Sequence, residues 1–102
     1  MAALIWTEPA LSDLNDIAEY IGLDNRPAAQ NLLGKVLAAT RQLEAFPQSS
    51  RRPPELVDSI YRELIVGPCR IFYRYNETRN EAYIVRIMRS ERLLRNLILA
   101  GK

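Results

Sequence analysis

The sequence contains no histidine, one cysteine and only four glycines among its 102 residues. Without histidine, the zinc and iron sites that proteins build from His and Cys are excluded, and so are Ser-His-Asp and Cys-His catalysis. None of the glycines stands at the spacing of a phosphate-binding loop. We therefore expect neither a metal nor a nucleotide cofactor.

Long apolar runs are also missing, since no stretch approaches the roughly 18 residues that a membrane span requires. The first six residues lack the basic start and long apolar stretch of a signal peptide. A single cysteine, Cys69, excludes a disulfide within one chain and is typical of a reducing compartment; in its strand pattern it is interpreted as a small buried hydrophobe. The sequence predicts one cytoplasmic domain over residues 1–102, with no membrane partner.

Charge is distributed unevenly along the chain. Residues 1–50 contain six acids and three bases, a net charge of −3, whereas residues 51–102 contain eleven bases and six acids, a net charge of +5. Twelve of the fourteen bases are arginine, which suits contact with carboxylate or phosphate groups. The basic half fits an acidic protein surface or nucleic acid, or simply a solvated surface.

A β-hairpin is predicted over residues 61–75, where two runs rich in β-branched and aromatic residues flank Gly67 and Pro68. Gly67 can adopt the positive φ of a tight turn, which places Val66 opposite Cys69. Because side chains alternate along a strand, the hairpin has two faces. The core face contains Leu64, Val66, Cys69, Ile71 and Tyr73, and the second face contains Tyr61, Glu63, Ile65, Arg70, Phe72 and Arg74. The second face is the better candidate for a working surface.

Two amphipathic helices precede the hairpin. Thr7 can cap the first, which extends to about Leu23, and Asp24 or Asn25 can cap the second, which ends near Pro47. The acidic residues of the first helix lie off its apolar stripe, which predicts a solvated face.

The remaining elements complete an α+β domain. A strand is predicted before the first helix, an irregular loop over residues 47–59, a third strand from Glu81 to Met88, and a short C-terminal helix that Ser90 can cap and Gly101 can close. In that third strand, alternation places Ile84 and Met88 on one face. The resulting order is a strand, two helices that form a hairpin and bury their apolar stripes on the sheet, an irregular loop, three strands and the C-terminal helix.

This order of residues resembles the RelE/ParE superfamily, the toxins of bacterial type II toxin–antitoxin systems. The resemblance extends from about Leu4 to Arg92. It rests on Trp6-Thr7, Asp13-Leu14, Ile17, Tyr20-Ile21, Ala28-Ala29, Leu43, Phe46-Pro47, Arg51, Arg62-Glu63-Leu64, Val66, Arg70-Ile71, Tyr73 and Arg92. It implies a β-α-α-β-β-β fold with the helical hairpin packed on an antiparallel sheet, and a cognate ParD-like antitoxin as partner.

The superfamily contains two activities. RelE-like members cleave mRNA on the ribosome, and the resemblance would give Glu63, Arg70 and Arg89 the roles in such a reaction. However, Tyr61 and Glu63 stand where RelE has lysines, and Arg89 stands where other ribonuclease members have a histidine. Cleavage needs a group that accepts a proton and another that donates one, and arginine has too high a pKa for either task. Glu63 and a tyrosine remain a conceivable pair.

The departures favour a ParE-type toxin that inhibits DNA gyrase by protein–protein contact and is not an enzyme. The alternatives are a ribosome-dependent endoribonuclease and a degenerate toxin that only titrates antitoxin. We expect no sequence-specific nucleic-acid binding by the toxin alone.

Two sets of site residues follow from these hypotheses. Arg70, Arg74, Arg89 and Arg92 are predicted to form one basic patch that contacts the target. Leu94, Leu97 and Ile98 are predicted to contact the antitoxin, or else to pack on the chain's own sheet. Glu63, Arg70 and Arg74 can alternatively form a structural ion-pair cluster.

Overall fold

A computed structural model describes residues 1–89 of the chain. Two helices pack on a four-stranded sheet, in the predicted order. The helices and strands are β1 (Ala3–Trp6), α1 (Glu8–Gly22), α2 (Arg26–Arg41), β2 (Tyr61–Val66), β3 (Cys69–Asn76) and β4 (Glu81–Arg89), with short 3-10 helices at Gln42–Glu44 and Pro54–Leu56. The predicted C-terminal helix, with Arg92, Leu94, Leu97 and Ile98, lies outside the described residues.

Both helices begin at the predicted caps. The Thr7 hydroxyl accepts a hydrogen bond from the Ala10 backbone N–H, and the Asn25 side chain does the same for Ala28. A proline in the first turn of each helix has no N–H to leave unpaired. Within residues 1–89, neither helix is long and apolar enough to cross a membrane.

The sheet is mixed, which corrects the expectation of an antiparallel sheet. Its strand order is β1-β4-β3-β2, and β1 pairs with β4 in parallel while the other pairs are antiparallel. The helical hairpin explains the difference, because α2 runs back along α1 and returns the chain to the end of the sheet at which β1 begins. A hydrogen bond of 2.7 Å from the Ala2 N–H to the Glu44 carbonyl joins these two points. β2 and β4 therefore run in the same direction as β1.

The β2–β3 hairpin has the predicted register. Val66 pairs with Cys69, and Glu63 pairs with Phe72. Gly67 has a φ of +54°, a left-handed conformation that glycine adopts without a steric penalty. The turn therefore determines which side chains face the helices.

A β-bulge between β3 and β4 changes the predicted alternation. Phe72 pairs with Arg86, but the next residue, Tyr73, pairs with Ile84, so one extra residue of β4 stands opposite this step. As a result, Ile84 and Ile87 both join the main core, whereas Met88 lies in a second cluster. The prediction that Ile84 and Met88 share a face is therefore wrong.

Apolar side chains are buried on both sides of the sheet. Between the core face and the helices, Ile71 of β3 lies in one buried cluster with Leu14 of α1 and Val36 of α2. On the second face, Tyr61, Phe72, Val85 and Met88 form a smaller cluster, and Leu56 and Tyr83 pack against it. Leu56 belongs to the 47–59 loop, so this loop covers part of the face that was expected to be a working surface.

Candidate functional site

A buried carboxylate lies at the centre of the second face. The Glu63 side chain is 0% exposed, and arginines bind both of its oxygens. Oε1 accepts a hydrogen bond of 2.8 Å from Nε of Arg70, and Oε2 accepts one of 2.7 Å from Nε of Arg51. Charge-assisted bonds of this kind are short and directional, and they fix the carboxylate in place.

Arg70 bridges this carboxylate to a second one. Its Nη1 and Nη2 donate hydrogen bonds of 2.8 and 2.7 Å to the two oxygens of Glu55, in addition to the bond from Nε to Glu63. The hydrogen bond to Glu55 is the main cause of a raised pKa for the Arg70 guanidinium, which burial opposes and Glu63 reinforces. Arg70 therefore stays charged at any physiological pH. We call Arg51, Glu55, Glu63 and Arg70 the charged cluster.

The 47–59 loop supplies two members of the charged cluster. The Arg51 carbonyl accepts a 2.8 Å hydrogen bond from the Glu63 backbone N–H, which forms an isolated β-bridge next to β2. Arg62 of β2 adds a 2.8 Å bond from Nη1 to the Ser50 carbonyl. Glu55 lies in the 3-10 helix Pro54–Leu56, and Pro53 and Pro54 limit the backbone freedom of this segment. These contacts hold the loop against the edge strand.

The three described arginines of the predicted basic patch do not form one patch. Arg70 belongs to the charged cluster, and its guanidinium carbon lies 5.0 Å from the centre of the Phe72 ring on the second face. The Arg89 guanidinium lies instead 4.9 Å from the ring centre of Tyr20, a residue of α1. The chain thus directs these two side chains to opposite sides of the sheet, and the prediction of a single patch is wrong for them. A role for each arginine in target contact stays a prediction.

Arg74 does not join the structural ion-pair cluster that was considered for it. Its guanidinium carbon lies 4.3 Å from the centre of the Tyr83 ring, an arrangement that favours a cation–π interaction. Tyr83 donates a hydrogen bond to Glu81, which raises the pKa of the Tyr83 phenol. The pair of Glu63 and Arg70 was foreseen, but its other partners are Arg51 and Glu55.

The tyrosine nearest to Glu63 on β2 is held in its protonated form. Tyr61 is buried, and this burial raises the pKa of its phenol, although the Arg74 charge acts in the opposite direction. A phenol that keeps its proton so firmly is a poor acid or base at neutral pH. The raised pKa therefore argues against Tyr61 as the proton-exchanging partner that was considered for Glu63.

Sequence reasoning missed the role of the 47–59 loop and of Asp13. Asp13 was expected on a solvated helix face, but it accepts hydrogen bonds from Nε and Nη2 of Arg86 at 2.7 and 3.0 Å. Asp16, on the same helix, is exposed as expected. In the described part of the chain, no three His, Cys, Asp or Glu side chains come together in a way that could hold a metal ion.

The chain is similar to known toxins over most of its length. A family model described as "ParE toxin of type II toxin-antitoxin system, parDE" matches residues 4–94. A protein of Caulobacter vibrioides named Toxin RelE2 is 36% identical over 93 residues, which cover 91% of this chain and 100% of that protein.

The fold is also similar to that of a solved structure. A chain of the structure titled "Chromosomal ParDE TA system from P. aeruginosa" superposes with a TM-score of 0.74 over 89% of this chain and 98% of that chain. The two sequences are 24% identical, so this comparison concerns the fold alone.

Proposed function

This chain belongs to the ParE toxin family of type II toxin–antitoxin systems, and from that premise we propose that it inhibits DNA gyrase by protein–protein contact. In this account the toxin performs no chemical step. It binds the enzyme, and a cognate ParD-like antitoxin neutralises it by binding the toxin in turn.

The observation that supports a binding protein over an enzyme is that arginines occupy both carboxylate oxygens of Glu63. Cleavage of RNA by its 2′-hydroxyl needs a base that can accept the proton, and the resemblance to the ribonuclease members would give that role to Glu63. In this structure Arg70 occupies one of its oxygens and Arg51 occupies the other, and the side chain has no contact with solvent. Both Glu63 oxygens are thus already occupied by arginines, so a 2′-hydroxyl could reach this carboxylate only if one of the two ion pairs opened.

A second candidate function is ribosome-dependent cleavage of mRNA. One observation favours it: the relative at 36% identity bears the name Toxin RelE2. The resemblance to RelE adds to it, because it aligns an arginine of RelE's second hairpin strand with Arg70. This function would require the 47–59 loop to move, because Arg51 and Glu55 of that loop hold Glu63 and Arg70 in ion pairs. A third candidate, a degenerate toxin, would bind antitoxin and affect neither target.

Primer extension on translating ribosomes tests the proposal against the ribonuclease. We expect purified toxin to leave mRNA intact, at concentrations that block supercoiling by gyrase in a parallel reaction. Codon-specific cuts that disappear in an Arg70→Ala variant would establish the ribonuclease instead. A preparation that binds antitoxin but changes neither reaction would indicate the degenerate toxin.

A further inference from the structure

Arg70 faces a small cleft at the surface of the protein. The cleft is lined by Arg51, Pro54, Glu55, Ile65 and Arg70. Two of these residues are cations, and the Arg51 side chain is 58% exposed whereas that of Arg70 is 7% exposed. A buried arginine that faces a cleft beside a more exposed one is an arrangement that suits an anion.

The guanidinium of Arg70 is bound in the geometry with which arginine recognises anions. Each oxygen of the Glu55 carboxylate accepts a hydrogen bond from one terminal nitrogen of Arg70, at 2.8 Å from Nη1 and 2.7 Å from Nη2. A phosphate group presents two oxygens to the same pair of donors in the same way. The Glu55 carboxylate therefore occupies the position that a phosphate would take on Arg70.

The two carboxylates of the charged cluster differ in how they are held. Glu63 belongs to β2, is fully buried, and is bound by two arginines. Glu55 belongs to a three-residue 3-10 helix in the 47–59 loop, and its side chain is 28% exposed. Glu63 is thus part of the sheet, whereas Glu55 is an outer group that could leave without disturbing the pairing of the strands.

We propose that Glu55 is an internal substitute for a phosphate group and closes a phosphate-binding cleft formed by Arg51 and Arg70. The four charges of the cluster, two cations and two carboxylates, sum to zero when Glu55 is in place. Removal of its charge leaves a net charge of +1 around the Arg70 guanidinium. The inference rests on the proposed function, in which the toxin acts on a protein, and it gives Arg70 a reason to be present without a role in RNA cleavage.

The test compares Glu55→Gln with Glu77→Gln in the full-length chain. Both variants lose one negative charge, but Glu77 lies in the exposed turn after β3 and contacts Gln48 rather than Arg70. The probe is a fluorescent single-stranded RNA oligonucleotide, read by anisotropy at low salt. We expect Glu55→Gln to bind it about tenfold more tightly than wild type, which is the gain from one freed charge-assisted contact. Glu77→Gln should change the affinity only slightly.

Two further arms connect the gain to the cleft. In the double variant Glu55→Gln/Arg70→Gln the affinity should return close to the wild-type value. Inorganic phosphate is added as competitor to distinguish the sources of the phosphate group. Competition supports a site for any phosphate, and binding that resists it supports a site for nucleic-acid phosphate.

Equal affinities for Glu55→Gln and Glu77→Gln would overturn the inference, as would a gain that persists without Arg70. Thermal melting checks that each variant is folded. Glu55→Asp, which is shorter by one methylene and cannot reach both nitrogens in the same way, gives a second variant with an expected smaller gain. Failure of the gyrase assay with wild-type toxin would refute the proposed function alone, because the RNA-binding comparison does not involve gyrase.

Discussion

Asp13 Oδ2 lies 2.7 Å from Nε of Arg86 and 2.9 Å from the backbone nitrogen of Ile87. β1 pairs with β4 only as far as Ile84, so the backbone groups of the following residues of β4 need other hydrogen-bond partners on that side. The Thr7 hydroxyl donates a 2.8 Å hydrogen bond to the Ile84 carbonyl, and Asp13 accepts the Ile87 N–H. Thr7 and the first turns of α1 thus supply hydrogen-bond partners for the Ile84 carbonyl and the Ile87 N–H at this edge of β4.

Asp13→Asn should lower the free energy of unfolding by about 2 kcal/mol. The amide has no charge, and its NH2 group would face an N–H donor of Arg86 or Ile87 where the carboxylate has an acceptor oxygen. Urea denaturation measures this change. Asp16→Asn is the matched control, since Asp16 is exposed on the same helix, and its effect should be small. Similar losses in the two variants would show that helix charge, rather than the contact with Arg86, explains the effect.

The two glycines Gly67 and Gly34 should respond oppositely to alanine. Gly67 has a φ of +54° and room for a methyl group, with Leu32 Cδ1 at 3.9 Å, so Gly67→Ala should cost about 1 kcal/mol through backbone strain. Gly34 lies within α2 with nothing within 4 Å of an added Cβ, so Gly34→Ala should stabilise by about 1 kcal/mol. Two thermal melts decide this, and a stabilised Gly67→Ala would contradict the turn geometry.

Much of the fold follows from local signals in the sequence. Thr7 and Asn25 define where the helices begin, and the Gly67-Pro68 turn defines the register of the hairpin. Each of these features depends on a few neighbouring residues, which is why a pattern can reveal it. The parallel pairing of β1 with β4 depends instead on the path of the whole helical hairpin.

The candidate site was harder to predict because its contacts join distant parts of the chain. Arg51 and Glu63 are twelve residues apart, and Glu55 and Arg70 are fifteen apart. No periodicity in the 47–59 loop indicates which of its charged residues turn inward. No glycine in β4 indicates the bulge opposite Phe72 either. The bulge changes which residues of β4 face the helices.

Tyr73 gives a prediction about a buried polar atom. Its side chain is 0% exposed, and its hydroxyl has no hydrogen-bond partner within residues 1–89. An unpaired hydroxyl in an apolar core costs roughly 1–3 kcal/mol. Tyr73→Phe should therefore leave the free energy of unfolding unchanged or raise it by about 1 kcal/mol in urea denaturation. A loss of more than about 1 kcal/mol would mean that the hydroxyl contributes a stabilising contact.

The central claim is that this toxin acts by binding gyrase, and a supercoiling assay with purified gyrase tests it most directly. Relaxed plasmid is incubated with gyrase and increasing toxin, with and without the cognate antitoxin. The account predicts a dose-dependent loss of supercoiling that antitoxin reverses, and an unchanged result when RNase inhibitor is present. Full supercoiling at every toxin concentration, from a preparation that still binds antitoxin, would contradict it.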